Sequence, residues 1–243
     1  RQQPDQAAVL LMAATFISRL LGYLRDVVLF AYFGQGSLTD AYYAAFTLPD
    51  FLYLLLVGSA LGPVFIPIFS SYLAKKQETE AWRVANSIWN VVICFMFFGL
   101  LLAFYFAPQL ICLLAPGFAP ETAVLAVELT RIMLPQAFFL ALAGIGMGIL
   151  HSYNNYLTPS IGSITYNVAI LLVSLFLLPY WGIHGFAFGV TVGAFCYFLV
   201  ELPALYQTGW RWQPFLSFRH PGVQEIFHRL LPVLLGLSVN QIN

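Results

Sequence analysis

The stretch AAVLLMAATFISRLLGYLRDVVLFAYF, residues 7–33, decides how this chain is read. It is apolar along its whole length and exceeds the roughly 20 residues a helix needs to cross the bilayer hydrocarbon. It also carries Arg19, Arg25 and Asp26 near its middle. Arginine at the centre of a membrane helix costs about 2.5–3.5 kcal/mol on insertion scales. Two arginines within two turns therefore argue for a protein interior or a watery cavity rather than lipid. The plainer alternative is snorkelling to the inner headgroups, which suits Arg19 better than Arg25. At 100° per residue, Arg19 and Asp26 fall about 20° apart in projection but about 10 Å apart along the axis, too far for a direct ion pair. Arg25 lies about 120° from Arg19, and a bend at Gly22 would swing both toward one cavity.

The rest of the chain supports a membrane setting. Of 243 residues, 60% are hydrophobic and 8% charged, against about 25% charged in soluble domains. A soluble fold would lack the polar residues to cover its surface, whereas lipid solvates apolar side chains directly. Ten basic and ten acidic residues leave no net charge, hence no basic surplus for nucleic acid. Cys94, Cys112 and Cys196 stand alone without metal or redox spacing and read as buried small hydrophobes.

Apolar runs bounded by Pro, Gly and polar clusters predict an all-α, polytopic transmembrane helix bundle with six complete crossings and the start of a seventh. The first is Ala7 to Phe33, closed by the FGQGS turn. The second, Thr39 to Leu73, is too long for a straight crossing, and Pro49, Gly58, Gly62, Pro63 and Pro67 should bend or break it. The others are Val84 to Ala107, Thr122 to His151, Pro159 to Leu178 and Ile183 to Tyr206. Residues 208–229, with Trp210, Arg211, Trp212, Phe215, Phe218 and Arg219, read as an interfacial connection between residues 1–207 and a further helix starting at residue 230. The chain starts at Arg1 and stops at Asn243 inside that last apolar stretch, so it is expected to be part of a longer protein. Lys75, Lys76 and Arg83 follow crossing two, and Arg211, Arg219 and Arg229 follow crossing six. The loops after crossings one, three and five carry no Lys or Arg. The positive-inside rule then places the N-terminus in the cytoplasm.

Other polar residues divide into structural and functional candidates. Asp40 reads equally well as a helix cap beside Thr39 or as a functional carboxylate, and Asp50 as a group satisfying backbone freed at a break. Glu128 and Arg131 are spaced i, i+3 and read as a structural pair. Asn167 and Glu201 line a cavity or bond between helices. The four histidines sit at predicted helix ends without metal spacing. Gly144, Gly146 and Gly148 suit close helix packing and follow no strand, so they make no nucleotide loop.

In order along the chain stand Ser18-Arg19, Leu21-Gly22 and Arg25-Asp26; Phe33-Gly34; Thr39-Asp40-Ala41; Ala45-Phe46 and Leu48-Pro49; Ala115-Pro116-Gly117-Phe118; Val190-Thr191-Val192-Gly193; Leu202-Pro203; and Leu235-Gly236 with Ser238-Val239 and Gln241-Ile242. On these pieces the chain resembles the N-terminal half of the MurJ (MviN) lipid II flippases of the MOP exporter superfamily. SRxLGxxRD with TDA is the specific part; APGF and VTVG add support by order. The resemblance implies one lobe of a two-lobe transporter with a central cavity. It implies that lipid II, the undecaprenyl-diphosphate-linked peptidoglycan precursor, moves from the inner to the outer leaflet of the bacterial cytoplasmic membrane. It implies that Arg19 and Arg25 meet the substrate diphosphate or headgroup and that Asp26 and Asp40 hold positions of functional interest; together with Ser18, Asp50, Tyr53, Asn167 and Tyr197 these two carboxylates are the candidates for cavity or gating roles. The sequence departs from the family at Tyr53 and Gly58, where arginine and an acidic residue are usual, and at Tyr197, where glutamine is often found. One cationic anchor is thus missing from this lobe.

Guanidinium groups match a lipid diphosphate through bidentate hydrogen bonds, which fits the same assignment. The alternative is a MOP-type exporter of another polyprenyl-linked saccharide or of drugs, although a cation exporter should favour carboxylates here over arginines. A membrane enzyme would need paired carboxylates or a His cluster at a membrane face, and the loops offer neither. A purely structural scaffold leaves the arginines unexplained. No metal or cofactor is expected in this chain, and the driving force is left open between the membrane potential and a monovalent ion.

Overall fold

The computed structural model describes residues 4–54 and 61–242. Among them are eight helices and no strand: α1 (Pro4–Phe33), α2 (Ser37–Tyr53), α3 (Leu61–Ala74), α4 (Glu78–Leu114), α5 (Pro120–Ser152), α6 (Leu157–Trp181), α7 (Ile183–Gln207) and α8 (Pro221–Ile242). Crossing two divides into α2 and α3, with Pro49 inside the first and Pro67 inside the second. Gly58 lies outside the described residues. Crossing three extends past both predicted ends: α4 has 37 residues, about 55 Å of helix. Four helices, α4 to α7, are each long and apolar enough to cross a membrane. The crossing carried by α1 includes three charges, and α2 and α3 are each shorter than a full span.

Bundle order follows from where small and large apolar side chains recur. Leu129, Met133, Ala137, Ala141, Ile145 and Ile149 are buried at four-residue intervals along α5. Such a row forms one ridge of a helix, and α5 packs on α2, α3, α4 and α7 as the hub of the bundle. The most extensive pairing is α6 with α7. It rests on a second four-residue row, Gly185, Gly189 and Gly193. A Cβ at 189 would stand 2.5 Å from Ser174 Oγ, and one at 193 would stand 2.8 Å from the Tyr166 carbonyl oxygen. Bare glycine faces let membrane helices approach closely. α1 packs mainly on α6 and only lightly on α2. The outward faces stay apolar: Phe97, Phe98, Leu101 and Leu102 of α4 and Leu172 and Phe176 of α6 are all exposed, as expected of lipid-facing surface. Cys94 and Cys112 lie on that exposed surface and Cys196 is half-buried, so none is the fully buried hydrophobe the sequence suggested.

In the connection from α7 to α8, Arg211, Trp212, Phe218 and Arg219 are exposed. Trp210 is buried, its ring 4.6 Å from that of Trp89. The strap that follows has no strand partner, so α4 side chains satisfy its backbone. Asn86 Nδ2 donates to the Arg211 carbonyl at 3.1 Å, and Gln213 N donates to Asn86 Oδ1 at 3.2 Å. Asn90 Nδ2 donates to the Gln213 and Phe215 carbonyls at 2.7 and 2.9 Å, while its Oδ1 accepts from Trp212 Nε1 at 3.0 Å. Ser217 N donates to Ser87 Oγ, and His220 Nε2 meets Glu80 Oε2 at 2.8 Å. The next helix begins at Pro221 rather than near Leu230, and Val223 and Ile226 of its first turns enter the core around Trp89. The side chains of the last motif pieces, from Leu235 on, lie outside the described residues.

Candidate functional site

α1 offers two polar stations on its inward side. The first is a clasp onto α6. Ser18 Oγ lies 2.7 Å from Ser163 Oγ and 3.3 Å from the Ser163 carbonyl, and Asn167 Nδ2 donates to Ser18 Oγ at 3.0 Å. Asn167 also donates to the Ser163 carbonyl one turn back at 3.2 Å. Asn167 therefore bonds between helices, one of its two predicted roles. Beside the clasp opens a cleft of about 380 Å³. Ser18 and Arg19 of α1, Met147 and His151 of α5, Ser160 and Ser163 of α6 and Tyr197 of α7 line it. Arg19 is exposed there and has no hydrogen bond or ion pair among the described residues.

The second station surrounds Arg25, one and a half turns further along α1. Its Nε and Nη2 both donate to Asp26 Oδ1, at 3.0 and 2.9 Å, and its guanidinium carbon lies 5.6 Å from the centre of the Phe46 ring. The Arg25 side chain is 17% exposed and that of Asp26 33%, so Arg25 is held inside the lobe and does not snorkel to an interface. Asp50 and Tyr42 of α2 and Tyr166 of α6 lie within electrostatic range of it. Tyr166 Oη in turn donates to Gln136 Oε1 of α5 at 3.2 Å. α1 runs as one helix through Gly22, and Arg25 is not among the residues lining the Arg19 cleft. The two arginines thus occupy successive positions along α1 rather than one pocket.

The remaining sequence candidates separate. Asp40 stands apart, exposed in the first turn of α2, where a negative charge complements the helix dipole. The N-cap is Gly36, and Thr39 in the first turn reaches back to it: its Oγ1 accepts from Gly36 N at 3.3 Å and donates to the Gly34 carbonyl at 2.7 Å. Tyr53, at the position where the family often carries arginine, is half-buried against the core cluster of α3 to α5. Glu128 and Arg131 do not pair. Glu128 meets His184 of α7 at 3.1 Å, and Arg131 donates to the Phe104 carbonyl of α4 with its guanidinium over the Phe104 ring. Sequence reasoning did not single out Ser163, Tyr166, Gln136 or His151 for the site. The available signal was polarity inside an apolar helix, which Ser163, Tyr166 and Gln136 all show.

Comparison with known proteins gives the family. The profile of the family described as "Lipid II flippase MurJ" matches residues 29–243. The chain belongs to the MurJ lipid II flippase family. A probable lipid II flippase MurJ of Buchnera aphidicola subsp. Acyrthosiphon pisum is 30% identical over 94% of this chain and 46% of its own length. A probable lipid II flippase MurJ of a Synechocystis strain is 32% identical over 95% of this chain and 45% of its own length. The chain therefore spans about half the length of the curated relatives it matches. Among solved structures, lipid II flippase MurJ in an inward closed conformation superposes with a TM-score of 0.78 at 27% identity, covering 96% of this chain and 48% of that one. An outward-facing multidrug MATE transporter of the MOP superfamily gives 0.75 at 18% identity, covering 99% of this chain and 53% of that one, a likeness of fold alone. This is a membrane protein of a flippase family, with the MOP helix arrangement.

Proposed function

We propose that this chain forms the substrate-handling lobe of a flippase that carries lipid II from the inner to the outer leaflet of the bacterial cytoplasmic membrane, with its N-terminus in the cytoplasm. The observation that supports this most is Arg25: a guanidinium held inside an apolar bundle, neutralised by its neighbour Asp26 and backed by Phe46. A lipid diphosphate offers the same kind of oxygen acceptor as Asp26, in greater number and with more charge. It can take over the fork of donors without leaving any charge stranded in a low dielectric. Arg19, at the cleft shared by α1, α5, α6 and α7, is placed to meet the anion first and pass it along α1. The polyprenyl tail needs no pocket in water, since it can remain in lipid beside α1. Rocking of one lobe against another would then carry the headgroup across, with the membrane potential or a monovalent ion as the driving force.

Complementation tests this directly. Cells depleted of their own lipid II flippase receive the full-length protein, or its Arg19→Ala, Arg25→Ala or Arg25→Lys forms. Growth and outer-leaflet lipid II are then scored at equal protein level. Rescue by the parent, lost in both alanine forms and impaired in the lysine form, is the expected result. Full rescue by Arg19→Ala and Arg25→Ala would sink the mechanism. A well-expressed parent that fails to rescue would move the substrate to another polyprenyl-linked saccharide, a reading favoured by Tyr53 standing where an arginine is usual.

A further inference from the structure

A buried carboxyl group lies on α7, one turn from Tyr197 of the Arg19 cleft. Glu201 is fully buried, and neither carboxylate oxygen has a hydrogen-bond partner. It lies among the apolar side chains that join α3, α4, α5 and α7, beside Leu202 and Leu205. Its Oε2 fills a notch in α5 that exists only because residue 146 is glycine. A Cβ there would stand 2.7 Å from Oε2 and 3.1 Å from Leu205 Cδ1.

Among the described residues, no cation faces Glu201. α5 presents Gly146, and α7 itself contributes Leu205. Tyr197 of α7 and Tyr53 of α2 lie within electrostatic range. α6 brings Tyr166 against Gly193, two turns away on α7. An ionised carboxylate without partner or water is not tolerated in such surroundings, whereas the neutral acid is. A carboxylic acid is a poor choice for a purely structural apolar position, because leucine or methionine would fill the same space without a polar cost.

We propose that Glu201 is a proton-binding site, loaded while α2, α5 and α7 are closed around it and unloaded when they part and admit water. Its neighbours suit both states. Tyr53 and Tyr197 carry hydroxyls that can donate to a carboxylate once the junction opens, and the glycine notch lets the neutral acid be covered again. Because loading favours the closed junction, a proton taken up at Glu201 biases the lobe toward that packing, as a ligand biases the state it binds better. The inference rests on the transporter reading, but its primary test involves no substrate.

The test uses the full-length protein. Infrared difference spectra between neutral and alkaline pH are recorded for the wild type and for Glu201→Gln. The wild type should show a protonated-carboxyl band that disappears on alkalinisation and is missing from Glu201→Gln. A band unchanged by the substitution would overturn the proposal. If the glutamine form fails to fold, the wild type decides alone, through labelling by dicyclohexylcarbodiimide, which attacks protonated carboxyls in apolar surroundings. Modification mapped to Glu201 should fall about tenfold per pH unit above its midpoint, and no pH-dependent modification at Glu201 would refute proton binding. In vesicles carrying the full-length protein and lipid II, the rate should depend on pH in the wild type and be flat in Glu201→Gln. Retention of the full pH dependence by the variant would overturn the coupling.

Discussion

Replacing Ser18 by alanine should loosen α1 from α6, and the size of the effect follows from the clasp. Ser18 Oγ has one proton to give and two lone pairs to share. At 2.7 Å from Ser163 Oγ and 3.0 Å from Asn167 Nδ2, two good bonds are made at once. Hydrogen bonds between membrane helices average about 0.6 kcal/mol and reach about 1.7. Ser18→Ala should therefore destabilise the full-length protein by about 1–2 kcal/mol. The sharper quantity is the coupling between Ser18→Ala and Asn167→Ala, because both substitutions remove the same bond. The double mutant should be less destabilised than the sum of the singles by about 0.6 kcal/mol, measured by equilibrium unfolding in detergent or bicelles. Ser18→Ala combined with Asn90→Ala, on an unconnected network, should be additive within about 0.5 kcal/mol. Strict additivity of Ser18→Ala and Asn167→Ala would refute the clasp, whatever the single values.

Gly193→Ala forces a methyl against Ile170 and the Tyr166 backbone. It should cost about 1–3 kcal/mol by overpacking, and an unchanged melting temperature would show that α6 and α7 are not held this close. Asn90→Ala deletes three bonds to the strap, and with water replacing part of the loss it should cost about 2 kcal/mol. Trypsin should then cut after Arg211 or Arg219 roughly thirtyfold faster where opening and reclosing outpace cleavage, and equal cleavage rates would argue against the strap as drawn. Glu128→Gln should change stability by less than about 0.5 kcal/mol, since its pairing with His184 is substantially exposed. A larger loss in an unfolding titration would mean that the pair is far better shielded than this.

Much of this fold could be read in the sequence because membrane helices announce themselves by length and polarity. The starts and stops of α1, α5, α6 and α7 fall within a few residues of expectation, and the proline- and glycine-rich second run does divide. The anomalous charges of α1 also pointed inward, as Arg25 shows. Partner choice was not legible. Glu128 had an attractive basic residue three positions away and instead found His184, because α5 and α7 lie side by side through apolar packing, not charges. The tryptophans and arginines of the strap suggest membrane surface, but its backbone partners, two asparagines and a serine on α4, are unremarkable until the groups they satisfy are counted. Asp40 reads evenly as a cap or a functional carboxylate by composition, but the N-cap is Gly36 and it is Thr39 that reaches back to its backbone. The spacing of Gly185, Gly189 and Gly193 was available to a reader and went unused.

The strap also fixes how force passes through this lobe. Zipped to α4 at Asn86, Ser87 and Asn90, and followed at once by a helix whose first turns are sunk in the core, the span from α7 to α8 is a stiff lever rather than a slack tether. Torque applied along α8 is delivered to α3 and α4, which it touches. A lobe built this way turns as one piece on its α3–α4 side, leaving lightly packed α1 as the part with freedom to lag behind.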